Sequence, residues 1–121
     1  MGRHLEIGHM GEEFALKEIK RMGYRVLERN YRSKLGEIDL IAMDGDELVF
    51  IEVKTRRFSM DYAKEAIDRK KMQRLCRLAL SYMKKKRWEN MKARFDVVAV
   101  CMKDEKPYQI ELIRDAFWCE T

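Results

Sequence analysis

Three charged residues interrupt apolar stretches in the first half of the chain. Asp39 follows Ile38 in one stretch, and Glu52 and Lys54 lie in the next, FIEVK at residues 50–54. Burying an isolated charge is costly unless another charge neutralises it. Two adjacent carboxylates would attract a hard divalent cation, and a nearby ammonium can stabilise the negative charge that develops during phosphodiester hydrolysis. The alternative is an ion-pair cluster in which Lys54 bridges the two acids.

An Asp-Gly pair between the two stretches predicts a β-hairpin that brings these residues together. A two-residue loop at residues 45–46 would place Asp39 directly across from Glu52. A loop at residues 44–45 would place them diagonally on the same face. A three-residue loop would put them on opposite faces, because a one-residue slip reverses the side chains.

Hydrophobic periodicity predicts two helices and five strands. The predicted helices span residues 11–22 and 63–88, and the predicted strands span residues 24–31, 37–43, 47–55, 94–102 and 108–113. Their order, helix, three strands, helix and two strands, indicates an α/β fold with a mixed sheet between helices. Alternation along the second strand predicts that Ile38 and Leu40 share the face opposite Asp39.

The two predicted helices carry further candidate residues. Gly23 is placed to end the first helix as a left-handed cap, and Glu12 falls on its apolar stripe, although an acid there can simply favour the helix dipole. In the second helix Lys71 lies within an inward stripe that starts at Ile67. It can extend its ammonium to solvent or reach a substrate phosphate. Another face of this helix carries Lys70, Arg74 and Arg77.

Two further acids are predicted to be structural. Asp96 interrupts an apolar strand, and we expect it to be a buried carboxylate paired with Arg94 or Arg32. Glu37 shares the predicted face of Asp39 but lies nearer the turn, and we expect it to be a supporting or turn residue and not a metal ligand. These assignments leave Asp39 and Glu52 as the central acids.

Length and composition indicate one soluble domain, residues 1–121. No apolar stretch is long enough to span a membrane and no signal peptide is recognisable, so we expect a cytoplasmic protein without a membrane partner. The three cysteines include no C-x-x-C pair, which predicts free thiols in a reducing compartment.

The charge of the chain is concentrated in one segment. Residues 64–92 contain eleven lysines and arginines against three acids, although the whole chain has a net charge of only +5. A basic segment of this kind indicates a polyanionic partner such as nucleic acid.

Several longer motifs surround the candidate residues: GEEFA at 11–15, RNYRSKLGEIDLIA at 29–42, LVFIEVKTR at 48–56, RFDVVAV at 94–100 and DAF at 115–117. The acid followed by E-x-K on a hairpin resembles the PD-(D/E)xK nuclease superfamily, whose fold is the restriction-endonuclease-like core. More closely, the chain resembles the YraN-like family of small endonuclease-like proteins, which is similar to archaeal Holliday junction resolvases.

The resemblance implies a function and a set of catalytic residues. Asp39, Glu52 and Glu12 would hold Mg²⁺ or Mn²⁺, and Lys54 would be the catalytic lysine. Lys71 would act from the second helix. The expected substrate is DNA, in branched or structured form, with RNA left open. Junction-cutting nucleases generally need two active sites, which leaves a homodimer open.

Two other functions remain open from the sequence alone. The chain is either a nuclease, a nucleic-acid-binding module with a nuclease-derived fold and no turnover, or a protein-interaction domain in which the acids are structural. The first two share the basic segment and the fold, and they differ in whether the hairpin charges act on a substrate.

Overall fold

The computed structural model describes residues 3–56 and 68–119, with side chains from residue 8 onward. Its helices are α1 (Arg3–Arg21) and α2 (Arg69–Lys86). Its strands are β1 (Arg25–Ser33), β2 (Gly36–Asp44), β3 (Glu47–Arg56), β4 (Ala93–Lys103) and β5 (Lys106–Phe117). The predicted order of elements is confirmed.

The five strands form one mixed sheet in the order β1-β2-β3-β4-β5. β3 and β4 run parallel, and the other neighbouring strands are antiparallel. A parallel pair requires a crossover connection, and α2 is the described part of that connection. This architecture confirms the predicted mixed α/β fold and is consistent with a restriction-endonuclease-like core.

Apolar side chains pack on both faces of the sheet, as predicted. α1 covers one face, where Ile19 belongs to a cluster with residues of β2, β3 and β4. α2 covers the other face, where Leu78 packs with residues of the same three strands. Among the described residues, Glu52 and Asp96 are the charged ones that are buried. Their surroundings therefore decide whether they are structural or functional.

The first helix is longer than predicted. It begins at Arg3, not at residue 11, although Gly8 and Gly11 have weak helix propensity. Met10 packs against the core cluster beneath α1. Tertiary packing of this kind routinely outweighs local propensity.

The end of α1 confirms the predicted glycine cap. Gly23 has a φ of 96°, which only glycine adopts freely. Its N–H donates to the carbonyl of Lys20 at 3.0 Å, and the N–H of Tyr24 donates to the carbonyl of Ile19 at 2.9 Å. This pair of hydrogen bonds is the Schellman motif that ends many helices.

The second helix is described from Arg69, so residues 63–67 of the predicted helix, including Ile67, lie outside the described residues. Asp68 is its N-cap and accepts a hydrogen bond from the backbone N–H of Lys71 at 2.8 Å. The cap holds the first turn, from which Lys71 projects. Neither of the two described helices has an apolar segment that could cross a membrane.

Candidate active site

The β2–β3 hairpin brings Asp39 and Glu52 together. Asp44 pairs with Glu47 across a loop of two residues. Gly45 opens this loop with a φ of 62°, at the first loop position, which type II′ hairpins reserve for glycine. The two-residue loop at residues 45–46 is therefore confirmed, and its register sets the two acids opposite each other.

The two hairpin strands separate where these acids lie. Their backbone pairing extends from the loop to Leu40 and Ile51. Beyond that point the Asp39 carboxylate accepts a hydrogen bond from the backbone N–H of Val53 at 2.8 Å. The Asp39 side chain thus takes the place of a strand partner, and its carboxyl group lies in the opening beside Glu52.

The alternation of side chains along β2 changes at Asp39. Leu40 packs under α1, but Ile38 packs with Ile41 under α2. The predicted shared face of Ile38 and Leu40 is therefore wrong. Asn30 lies opposite this point in the β1 register and has a φ of 51°, so the regular pleat is interrupted there. This irregularity coincides with the opening in which the Asp39 carboxyl group lies.

Two lysines contact the same oxygen of Glu52. The Nζ atom of Lys54 lies 3.7 Å from Glu52 Oε1, and the Nζ atom of Lys71 lies 3.1 Å from it. The Glu52 side chain is 7% exposed, so this contact is buried. The structure thus places the Lys71 ammonium inside the site. Asp39, in contrast, has no ion pair with any residue that the structure describes.

The charges of this cluster shift one another's pKa. Burial, followed by the charge of Glu52, raises the pKa of Asp39 to about 8, although the hydrogen bond from Val53 opposes the change. Burial and the hydrogen bond with Lys71 lower the pKa of Lys54 to about 8. Burial also lowers the pKa of Lys71, but Lys54 and Glu52 raise it more, so the net change is upward. Lys71 therefore remains charged at neutral pH.

The raised pKa of Asp39 predicts a pH dependence of stability in the metal-free protein. The ordinary value is 3.8 and the folded value is about 8, so the native state retains a proton that the unfolded chain releases. The contribution of Asp39 to the free energy of unfolding is therefore fully present when the pH is below the ordinary pKa of 3.8. It is lost as the pH rises through the folded pKa of about 8.

We expect the difference in unfolding free energy between Asp39→Asn and the wild type to shift in favour of the variant from pH 5 to pH 8. Urea unfolding in the presence of EDTA measures the unfolding free energy of both proteins at each pH. Subtracting the wild-type value from that of the variant cancels the titration of all other groups. A difference that stays constant across this range would contradict the pKa shift.

Glu12 lies at the margin of this cluster. A Cβ atom at Gly11 would lie 2.0 Å from Thr55 Oγ1, so glycine allows α1 to approach the end of β3. Burial and the charge of Glu37 raise the pKa of Glu12. The charge of Glu12 in turn contributes to the raised pKa of Asp39. Glu12 therefore interacts electrostatically with the central acids.

The donor set suits a hard divalent cation. Asp39 and Glu52 offer carboxylate oxygens side by side, and Mg²⁺ commonly binds through one or two carboxylates while it keeps several waters. In the described part of the chain, His, Cys, Asp and Glu side chains form no group of three that could hold a metal. The residues present fit Mg²⁺ or Mn²⁺ held by these two carboxylates, with Glu12 as a further negative charge nearby.

The four basic residues predicted to bind nucleic acid separate into two groups. Lys71 is turned toward the acids, as described above. Lys70, Arg74 and Arg77 are exposed and follow the spacing of one helix side. With Lys84, which is also exposed, this side of α2 carries positive charge over about 20 Å.

Asp96 has the structural role predicted for it. It is fully buried and accepts hydrogen bonds from Arg94 Nε and the Tyr24 hydroxyl, both at 3.0 Å. Arg94 is therefore its partner, whereas Arg32 pairs with Glu37 at 3.6 Å.

The cysteines differ from the sequence-based prediction. Cys76 and Cys119 form a disulfide, with Cα atoms 5.7 Å apart, so the expectation of free thiols is wrong for this pair. The two residues are 43 positions apart in the chain and meet because β5 ends beside α2. No local motif indicates such a pair.

The fold and the hairpin place the protein among small mixed α/β domains, and the sheet with its two helices is consistent with a restriction-endonuclease-like core. The chain belongs to the uncharacterised protein family UPF0102, the YraN-like family, whose model matches residues 11–100. This confirms the family-level part of the resemblance.

Relatives of this family cover nearly the whole chain. The UPF0102 protein of Syntrophus aciditrophicus is 47% identical over 119 residues, which cover 97% of this chain and 92% of the relative. The UPF0102 protein of Caldicellulosiruptor saccharolyticus is 45% identical over 114 residues, which cover 93% of this chain and 97% of the relative. The matching region therefore includes both helices and the hairpin.

Proposed function

We propose that the protein is a metal-dependent endonuclease that hydrolyses phosphodiester bonds in branched or otherwise structured DNA. One observation carries the proposal. The Asp39 carboxyl group lies beside Glu52 in an opening of the sheet, while both nearby ammonium groups contact Glu52. Two carboxyl groups this close repel each other when both are ionised, and a divalent cation bound between them would remove that repulsion.

Each side chain of the cluster has a role in this proposal. Asp39 and Glu52 hold the cation, which when bound supplies a Lewis acid that polarises a phosphoryl oxygen and activates a water. Lys54 shares a face of β3 with Glu52 and can position the attacking water and stabilise negative charge in the transition state. Lys71 holds Glu52 and presents its charge to the substrate phosphate.

The exposed basic side of α2 supports DNA as the substrate. Lys70, Arg74, Arg77 and Lys84 extend from the turn that bears Lys71 toward the other end of the helix. Contacts of lysine and arginine with phosphates supply most sequence-independent binding to DNA. A duplex lying along this side would have one strand near the candidate site.

We expect Lys70→Ala and Arg74→Ala each to weaken DNA binding without slowing cleavage at saturating DNA. Loss of one phosphate contact should reduce the slope of log affinity against log salt by about 0.9. Fluorescence anisotropy with a labelled duplex between about 50 and 200 mM salt measures this slope. Lys20→Ala is a matched control, because Lys20 is exposed on α1. An unchanged slope in both variants would contradict the assignment of this surface.

A non-catalytic nucleic-acid-binding module is the second candidate function, and one observation favours it. Lys54 and Lys71 together supply two positive charges to the cluster that contains Asp39 and Glu52. Such a cluster can be balanced by its own residues as a structural network. The α2 surface would then bind nucleic acid without turnover.

A cleavage panel separates the two candidates. Duplex, single-stranded and four-way-junction DNA, and an RNA of matched sequence, are incubated with Mg²⁺, with Mn²⁺ or with EDTA. The nuclease proposal predicts metal-dependent cleavage of at least one substrate. Salt-sensitive binding to these substrates without any cleavage would favour the binding module.

A further inference from the structure

A groove of about 400 Å³ lies between the outward side of α2 and the residues that follow β5. Leu80 and Trp118 line it, and they remain 64% and 78% exposed. Adjoining apolar side chains that stay open to solvent commonly mark a binding surface. Arg77, at the edge of the basic side of α2, also lines the groove, and the other lining residues have no role in the function proposed above.

Trp118 is held in position although it is exposed. Its indole Nε1 donates a hydrogen bond to Asp115 Oδ1 at 2.9 Å. The next residue, Cys119, is joined to Cys76 of α2 by the disulfide. A ring fixed in this way loses little conformational freedom on binding, and its open face suits a flat aromatic partner.

The charged side chains that line the groove favour an anionic partner, although Asp115 lies at its edge, where it accepts the hydrogen bond of Trp118. Arg69 and Arg77 line it, and its described lining includes no aspartate or glutamate. A guanidinium group binds phosphate and also stacks on planar rings. An aromatic side chain beside cationic ones is the arrangement by which proteins bind unpaired nucleotides.

The groove begins close to the candidate active site. Arg69 is two residues before Lys71, and this spacing turns the chain by about 200° around a helix axis. The groove and the site therefore lie on opposite sides of the same first turn of α2. Lys70 lies between Arg69 and Lys71 around the helix and is exposed, so a strand bound at Lys71 can reach the groove along the basic side of α2.

We infer that this groove stacks an unpaired base of a polynucleotide on Trp118, while Arg69 and Arg77 contact the adjoining phosphates. The inference rests on the proposed function and deepens it. It makes the substrate one that has a single-stranded region next to the cleaved bond. An apolar peptide is the competing occupant, since Leu80 also lines the groove.

Tryptophan fluorescence tests the inference directly. The chain has two tryptophans, and Trp88→Phe leaves Trp118 as the single emitter while it retains a ring beside Tyr82. This variant is titrated in EDTA with an eight-nucleotide single strand and with an abasic strand of the same length. We expect saturable quenching by the first strand and about tenfold weaker binding of the second.

Two substitutions at Trp118 provide the matched comparison, with binding of labelled strands followed by anisotropy. Trp118→Ala should remove the preference for the strand that has bases, whereas Trp118→Phe should keep most of it. Arg77→Ala should weaken both strands equally. Equal binding of the two strands by the wild type would overturn the inference, as would quenching by an apolar peptide but by neither strand.

These measurements remain distinct from the test of nuclease activity because EDTA prevents metal-dependent cleavage. Base-dependent quenching without any cleavage in the panel would retain the groove and reject the nuclease. Cleavage without base-dependent quenching would retain the nuclease and reject the base-stacking groove.

Discussion

Asparagine in place of Asp39 is expected to slow magnesium-dependent DNA cleavage at least ~100-fold, because it removes one of the two carboxylates proposed to hold the cation. The substitution is mild for the fold. The side-chain oxygen of asparagine can still accept the hydrogen bond from Val53, which is 2.8 Å long in the wild type. Because asparagine is neutral, the metal-free variant should be at least as stable as the wild type at pH 8.

Initial rates of cleavage at saturating Mg²⁺ measure this effect. Asp46→Asn is the matched control, because Asp46 is an exposed acid in the loop of the same hairpin. Lys54→Ala should also reduce the rate and leave metal binding in place, with the exposed Lys92→Ala as its control. Cleavage that persists undiminished in both Asp39→Asn and Lys54→Ala would place the activity elsewhere.

Alanine in place of Arg94 is expected to lower the free energy of unfolding by about 3–5 kcal/mol. The Arg94 guanidinium contacts Asp44 Oδ2 at 2.8 Å and Glu47 Oε1 at 2.7 Å, besides Asp96. Asp96 is fully buried. Without Arg94, the buried Asp96 carboxylate would have no cation beside it. Removing one partner of a buried ion pair in this way is strongly destabilising.

Urea unfolding measures the loss, and two further variants define its cause. Arg114→Ala is the control, because Arg114 is 53% exposed and lies 3.9 Å from Asp44; it should cost less than ~1 kcal/mol. Asp96→Asn added to Arg94→Ala should recover part of the stability, since it removes the stranded charge. A loss below ~1 kcal/mol for Arg94→Ala would show that the network is only a surface feature.

Features that depend on residues adjacent in the chain could be predicted from the sequence. The hairpin needed only an Asp-Gly pair between two apolar stretches, and Gly45 then fixed a loop that sets Asp39 opposite Glu52. Gly23 likewise marked the end of α1. The mixed sheet followed from the order of the elements, because local signals identify each element and apolar stretches on both faces require cover on each side.

Features that depend on how distant elements meet could not be predicted. Lys71 reaches Glu52 because of the rotation of α2 over the sheet, and periodicity could only place it on an inward stripe. Cys76 and Cys119 meet because β5 ends beside α2. The face of Ile38 depends on an irregularity in the neighbouring strand β1, for which β2 itself carries no signal.

If Asp39 and Glu52 together hold a divalent metal ion, as proposed, Mn²⁺ should occupy the position between their carboxylates. A crystal soaked in Mn²⁺ and measured for anomalous scattering tests it most directly. We expect an anomalous peak between the two carboxylates in the wild type and none there in Asp39→Asn crystals soaked in the same way. A wild-type map without that peak, in which Lys54 and Lys71 still contact Glu52, would contradict the account.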